Sequence, residues 1–171
     1  MKKYELTAEF IEKWGKKLFR IKALISFGSV EAGELGGYVE KEDNLAQNGN
    51  AWVYGNARVY GNARVYGNAR VYGNAEVYGN AEVCGDADYL LIGRIGSRFS
   101  FTTFFKNKDK GITVSCGCFL GTIAEFRAKV TDTHGNNKHA KIYNLAADMA
   151  ELQILGEEYF DKLNTNKSEP F

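Results

Sequence analysis

Between Ala51 and Asp86 one six-residue unit, Ala-x-Val-x-Gly-Asn, is written six times, as AWVYGN, ARVYGN, ARVYGN, ARVYGN, AEVYGN and AEVCGD. A unit this short cannot bury an apolar face alone, so each copy must stack on its neighbours, and the architecture left open is a solenoid. In an extended segment alternate residues share a face. Ala51 and Val53 therefore point together into the core, while Trp52 and Tyr54 point away from it. Gly55-Asn56 supplies a corner every six residues, because glycine and asparagine tolerate positive φ.

Three such corners close a triangle, and residues eighteen apart then stack from coil to coil. The charges test that spacing. Arg58 falls over Glu76, Arg64 over Glu82 and Arg70 over Asp88, which accounts for the change from Arg to Glu midway through the array. Tyr54 falls over Tyr72, Tyr60 over Tyr78, Asn56 over Asn74 and Asn62 over Asn80, as aromatic and amide ladders. The pattern resembles the hexapeptide repeat of left-handed parallel β-helices, in which a small residue follows an aliphatic one four positions on. Val53 to Ala57 and Val59 to Ala63 fit that rule, with Tyr at a position the family more often fills with a small or acidic residue. Degenerate units starting at Gly33, Val39 and Leu45 keep the six-residue phase and bring the total to about three coils.

A short solenoid leaves backbone unpaired at both ends. Thr7 as N-cap, Leu6 and Ile11 as a hydrophobic staple, and Phe10, Ile11, Trp14 and Leu18 at helical spacing predict an amphipathic helix over 8–17 that covers one end. A strand at 19–27 follows. After Asp88 the period vanishes. Segments 89–92, 99–106 and 111–118 read as strands, and Thr122 with Glu125 forms a capping box. That box opens a helix with Ile123, Phe126 and Val130 on one face and His134-Gly135 as its stop. A second helix has Ile142, Leu145, Met149 and Leu152 at helical spacing, and a shorter one ends near Leu163 before a frayed tail. The expected fold class is mainly β plus α+β: a helix and strand cap at 1–32, a short left-handed β-helix at 33–88 and a small α+β domain at 89–171.

Lys plus Arg total 22 against 21 Asp plus Glu, so no overall charge draws the chain to nucleic acid or an anionic membrane. No apolar run approaches the roughly 18 residues of a membrane span, and MKKYELTAEF carries charge where a signal peptide needs an apolar stretch. The expected location is the cytoplasm. Cys84, Cys116 and Cys118 are an odd set that suits reduced thiols.

GGYVEKEDNLAQ leading into the repeat, followed by IGSR, TTFF, ITVSCGCF and THG, resembles a group of proteins common in bacteriophages, prophages and gut bacteria. Members are labelled from the repeat as transferases or polymer-forming proteins. The resemblance covers most of the chain. It implies that Gly96, Ser97, Arg98, Thr102, Thr103, Cys116, Cys118 and His134 belong to shared motifs, assigns none of them a catalytic role, and implies a host-cell setting in which a phage protein counters a host process.

Hexapeptide β-helices are best known as acyltransferases and carbonic anhydrases, and both need histidine as base or metal ligand. The repeat has none; His134 and His139 lie in the helical region. That argues against acyl transfer, leaves no cofactor expected, and keeps a diverged acyltransferase or a purely structural element as alternatives to a binding protein. Cys116 and Cys118 with His134 are a weak metal set, since one CxC is a sparse signal. The stronger ligand candidate is Arg94, Gly96, Ser97 and Arg98 with Thr102, Thr103 and Lys106. Backbone donors, hydroxyls and guanidinium groups there suit a phosphate, and the neighbouring phenylalanines suit a base, although a strand that merely fills a core reads the same way. Tyr54, Tyr60, Tyr66, Tyr72 and Tyr78, with Arg58, Arg64 and Arg70, form surface rows suited to an interface. A homotrimer packed on β-helix faces is the favoured assembly, and a host protein or small anionic ligand the expected partner.

Overall fold

The computed structural model describes residues 1–157 and 159. The short helix ending near Leu163 and the tail beyond it lie outside the described residues. The chain divides into two compact units, Met1–Asp88 and Tyr89–Phe171.

In the first unit the repeats form a β-solenoid. Two-residue strands β4 (Trp52–Val53), β5 (Arg58–Val59), β6 (Arg64–Val65), β7 (Arg70–Val71), β8 (Glu76–Val77) and β9 (Glu82–Val83) pair in parallel as β4 with β7, β5 with β8 and β6 with β9. Each pairing joins residues eighteen apart: Val53 to Val71, Val59 to Val77, Val65 to Val83. The Ala and Val of all six units are fully buried, as the alternation requires. Gly55, Gly61, Gly67, Gly73 and Gly79 all turn their corners with φ between 57° and 70°. Each buried Val contributes about 1.5–3 kcal/mol and an exposed ion pair only about 0.2–1 kcal/mol, so the inner column stabilises the coil and the outer ladders hold its register.

The outer ladders follow the same spacing, with one exception. Tyr54 stacks on Tyr72 and Tyr60 on Tyr78, both with ring centroids 4.6 Å apart. Asn50 donates to Asn68 at 3.2 Å, Arg58 pairs with Glu76 at 2.9 Å, and Arg64 stands in register with Glu82. Arg70, however, pairs with Asp86 at 2.7 Å and not with Asp88. A 3-10 turn at Asp86–Asp88 ends the coil, and Asp88 instead accepts hydrogen bonds from the Cys84 and Gly85 amides.

The upstream units depart from the six-residue phase. Val39 in β3 (Leu35–Val39) pairs with Val59, and Leu45 bridges Val65, both twenty residues apart. The spacing returns to eighteen at Trp52, and the two extra residues fall at the corner around Gln47 and Asn48. Backbone bonds place them there: Ala46 donates to Val65 but Asn50 already to Gly67. Buried Asn44 carries its amide to the Gly61 and Ala63 carbonyls beside this corner.

The expected helix over 8–17 is instead a hairpin. Strand β1 (Tyr4–Lys13) pairs antiparallel with β2 (Lys16–Ala23), and β2 continues onto β3, extending one solenoid ladder into a five-stranded sheet. Trp14 and Gly15 both have positive φ, 53° and 74°, the two-residue turn that matches strand twist. Thr7 does accept a backbone hydrogen bond, from Glu9 at 3.2 Å, but inside a β-bulge between Leu6 and Phe10 and not at a helix start. The hairpin buries Leu18 against Tyr38 and Tyr60. Its first residues reach the widened corner, where Gln47 Oε1 accepts from the Lys3 amide at 2.9 Å. Lys3 Nζ donates to the Ala51 carbonyl at 2.9 Å, and the Tyr4 ring meets Trp52 edge-on at 6.0 Å.

The second unit is an antiparallel meander of β10 (Tyr89–Ile95), β11 (Ser100–Lys106), β12 (Ile112–Cys116) and β13 (Phe119–Thr122), followed by α1 (Ile123–His134) and α2 (Lys138–Leu155). The capping box forms as read, with Glu125 N–H donating to Thr122 Oγ1 and Thr122 N–H to Glu125 Oε2, and Gly135 ends α1. Strand β13 is an addition to the sequence reading. On α2 the buried face is Ala140, Tyr143, Ala147, Ala150 and Ile154, while Leu145, Met149 and Leu152 are exposed. Small side chains let α2 lie close to the sheet and α1. Arg127, bound to Asp148 and Glu151 at 2.7 Å each, fixes that rotation.

Candidate functional site

The turn between β10 and β11 presents Ser97 and Arg98. Gly96 opens it at φ 73° and Phe99 closes it at φ 46°. Only glycine fits at 96, because a Cβ there would overlap the Tyr143 hydroxyl from α2. A second turn, Gly117-Cys118 between β12 and β13, lies alongside; a Cβ at Gly117 would stand 3.6 Å from Arg98 Nη1. The last turns of α1 complete a cavity of about 190 Å³ lined by Ser97, Arg98, Cys116, Cys118, Lys129, Thr133, His134 and Tyr143.

A buried hydroxyl is aimed at one sulfur within it. Thr102 is fully buried, and its Oγ1 donates to Cys116 Sγ at 3.2 Å. Tyr143 from α2 lines the same cavity beside that sulfur. Burial first, then the charge and hydrogen bond of Cys116, push the Tyr143 phenol up to about 12, so it keeps its proton and remains a donor near neutral pH. His134 stacks on the Tyr143 ring with centroids 5.8 Å apart. Arg98 is exposed and has no carboxylate partner among the described residues, whereas Lys129 pairs with Asp132 at 3.1 Å.

The structure thus gathers part of the set read from the sequence. Ser97, Arg98, Cys116, Cys118 and His134 line one cavity, Gly96 backs it, and Thr102 supports it from beneath. Thr103 alternates to the other face of β11, and Lys106 lies three residues further along that strand, beside Ile112. Arg94 sits in exposed backbone of β10 at an irregularity between Ile92 and Ile95. None of the three lines the cavity. Phe104 and Phe105 are fully buried and Phe101 half-buried, which leaves Phe99 as the exposed ring at the turn. Among the described residues no three His, Cys, Asp or Glu side chains gather as a metal site, so Cys116, Cys118 and His134 share a wall without forming a ligand set. Lys129, Thr133 and Tyr143 were not read from the sequence. The α1 positions continue the Phe126–Val130 face by a turn and were accessible to periodicity; Tyr143 carried no local signal.

On the solenoid, Tyr60 is 5% exposed under the β1–β2 hairpin and Arg58 is held by Glu76. Arg64, Arg70 and Tyr72 are exposed, and Tyr54 and Tyr66 are half-buried.

Comparison with known families agrees with the solenoid. A model of the YdcK beta solenoid repeat matches residues 51–67, 57–73 and 63–79, in windows that advance by one six-residue unit. The chain is similar to that repeat over this stretch, and the first unit carries a β-solenoid repeat. No curated protein matches the chain. Among the described residues no helix is long and apolar enough to cross a membrane.

Proposed function

We propose that this chain is a non-catalytic binding protein whose second unit holds a small anionic group, with the solenoid as its assembly scaffold. The observation that carries the reading is the cavity that sets Ser97 and Arg98 of a glycine-opened turn against Lys129 and Tyr143 from the two helices. A guanidinium, an ammonium and two hydroxyls are charge-assisted donors of the kind that phosphate and carboxylate oxygens accept. At about 190 Å³ the cavity is smaller than the roughly 300–1,000 Å³ pockets that enclose whole drug-sized ligands. It therefore takes a head group; a nucleotide would enter by a phosphate and leave its base outside, near Phe99.

The scaffold part of the proposal is a left-handed solenoid of three coils, its end covered by the amino-terminal hairpin, that assembles as a trimer through the rows containing Arg64, Arg70 and Tyr72. The hexapeptide pattern supports the handedness, and the exposure of those side chains supports the contact face. The IGSR, TTFF and CGCF motifs support a phage or prophage protein that acts in the host cytoplasm on a host process, defence included. The diverged acyltransferase is disfavoured because the repeat contains no histidine.

Calorimetric titration with inorganic phosphate tests the pocket. Arg98→Ala should weaken binding by about tenfold, equivalent to about 1.4 kcal/mol. Equal affinity of the two proteins would overturn the assignment. Native mass spectrometry tests assembly, where a monomer at micromolar concentration would refute the trimer, and thermal stabilisation by acetyl-coenzyme A would restore the acyltransferase.

A further inference from the structure

The two thiols in the cavity wall do not take part in anion binding, yet Cys116 holds a buried hydroxyl. Its sulfur receives the Thr102 hydroxyl, which is fully buried, and Tyr143, a phenol that stays protonated, lines the cavity beside it. Thiols are weak acceptors, and sulfur that carries developing charge is a strong one, so a buried donor fixed on it favours a sulfur that reacts. Arg98 opens onto the same cavity. Cys118 lies two residues away, exposed on the far side of the Gly117 turn and lining the same space.

We infer that Cys116 and Cys118 form an oxidisable pair that consumes a small hydroperoxide, Cys116 attacking and Cys118 resolving. Cys116 Sγ attacks the distal peroxide oxygen. The S–O bond forms as the O–O bond breaks, the thiol proton passes to solvent, and the leaving oxygen takes up a proton to depart as water or an alcohol. The sulfur is oxidised by two electrons and the peroxide reduced by two. Cys118 Sγ then attacks the sulfenic sulfur, the S–S bond forms, and the hydroxyl leaves with the Cys118 proton as water. Donors from Thr102 and Tyr143 stabilise charge on Cys116 in the first step, and Arg98 stabilises the leaving oxygen. The cavity has room for a small peroxide, and Cys116 and Cys118, two residues apart across the Gly117 turn, both line it.

Cys84 supplies an internal reference, because it is exposed and lies in the other unit. The reduced full-length protein is treated with one equivalent of hydrogen peroxide in phosphate-free buffer, quenched with an alkylating reagent and mapped by peptide mass. Cys116 and Cys118 should lose two hydrogens as a pair at least about tenfold faster than Cys84 is modified. Cys118→Ser should stop at a gain of one oxygen on Cys116, trapped by a 1,3-dione, and Thr102→Val should slow that step. Oxidation of Cys84 first or at the same rate, or absence of the trapped oxygen in Cys118→Ser, would overturn the inference. The wild-type comparison needs no variant to fold. Phosphate is absent throughout, so failure here leaves the anion reading standing, and loss of the anion reading leaves this one.

Discussion

Alanine at Gly67 should destabilise the solenoid far more than alanine at Gly55, although both residues occupy the same place in the repeat. Each turns a corner in the left-handed region, with φ of 64° and 57°. The backbone penalty is therefore shared: about 1–2 kcal/mol for a Cβ in that conformation, offset by about 0.4–1 kcal/mol from the stiffer unfolded chain. What differs is the coil above. At Gly55 the nearest atom to a new Cβ is the Gly73 carbonyl oxygen at 4.0 Å, an ordinary contact. At Gly67 it is the Cys84 carbonyl oxygen at 2.7 Å, with Cys84 Sγ at 2.9 Å. That carbonyl cannot swing away, because it accepts the Asn68 amide at 3.1 Å. Relief must come from the backbone, at about 1–3 kcal/mol. Gly55→Ala should thus cost about 1 kcal/mol and Gly67→Ala about 2–4 kcal/mol, or roughly 4–8 °C of additional Tm loss per kcal/mol. Both tryptophans of the chain, Trp14 and Trp52, lie in the first unit, so urea unfolding followed by tryptophan fluorescence reads the solenoid and not the second unit. Equal losses at the two sites would refute the idea that vertical carbonyl contact, and not φ alone, demands glycine.

Charge, pH and packing give three further tests. Arg58→Glu should cost about 1–3 kcal/mol, because Arg58 and Glu76 side chains are only 27% and 20% exposed, whereas exposed Arg64→Glu should cost under about 1 kcal/mol and lose even that in high salt. Urea midpoints at two ionic strengths decide, and matching losses would remove burial as the cause. Burial lowers the Lys3 ammonium to about 8, while the unfolded chain holds the proton to about 10.5. The unfolded state therefore binds more protons between pH 8 and 10.5, and stability should rise across that window by on the order of 1–3 kcal/mol relative to Lys3→Met; parallel pH profiles would contradict it. On α2, Leu145→Gln with Met149→Gln should change stability by less than about 0.5 kcal/mol while Ala147→Leu costs about 1–3 kcal/mol, measured by circular dichroism melts, and the reverse order would show that the large residues are the packed face.

The solenoid was legible because its determinants are local and repeated. Ala51, Val53 and their successors have only one way to point inward together, and the Arg-to-Glu change specifies the spacing at which coils stack. The capping box at Thr122 and Glu125 is equally local, two residues three positions apart that satisfy one another. Where two patterns coexisted, periodicity chose the wrong one. Phe10, Ile11, Trp14 and Leu18 have helical spacing, but Trp14-Gly15 is also a two-residue hairpin turn, and pairing with the solenoid edge through β3 outweighs an isolated short helix. On α2 Leu145, Met149 and Leu152 form the larger apolar stripe by helical spacing. Close approach to the sheet selected the Ala and Tyr stripe instead.

The cavity lay further from view. Ser97 and Arg98 stood out beside glycines, and Cys116, Cys118 and His134 stood out by type, yet these residues come from two hairpin turns and a helix end that only the folded unit brings together. Sequence alone determined the coil: its inward column, its corners and its eighteen-residue register, all set by interactions that each unit repeats with the next. Tertiary structure alone decided the site, because the contact of Tyr143 with Gly96 and Cys116 depends on how α2 lies across the sheet. That placement is fixed by steric fit and the Arg127 bridges, which no spacing in the chain encodes.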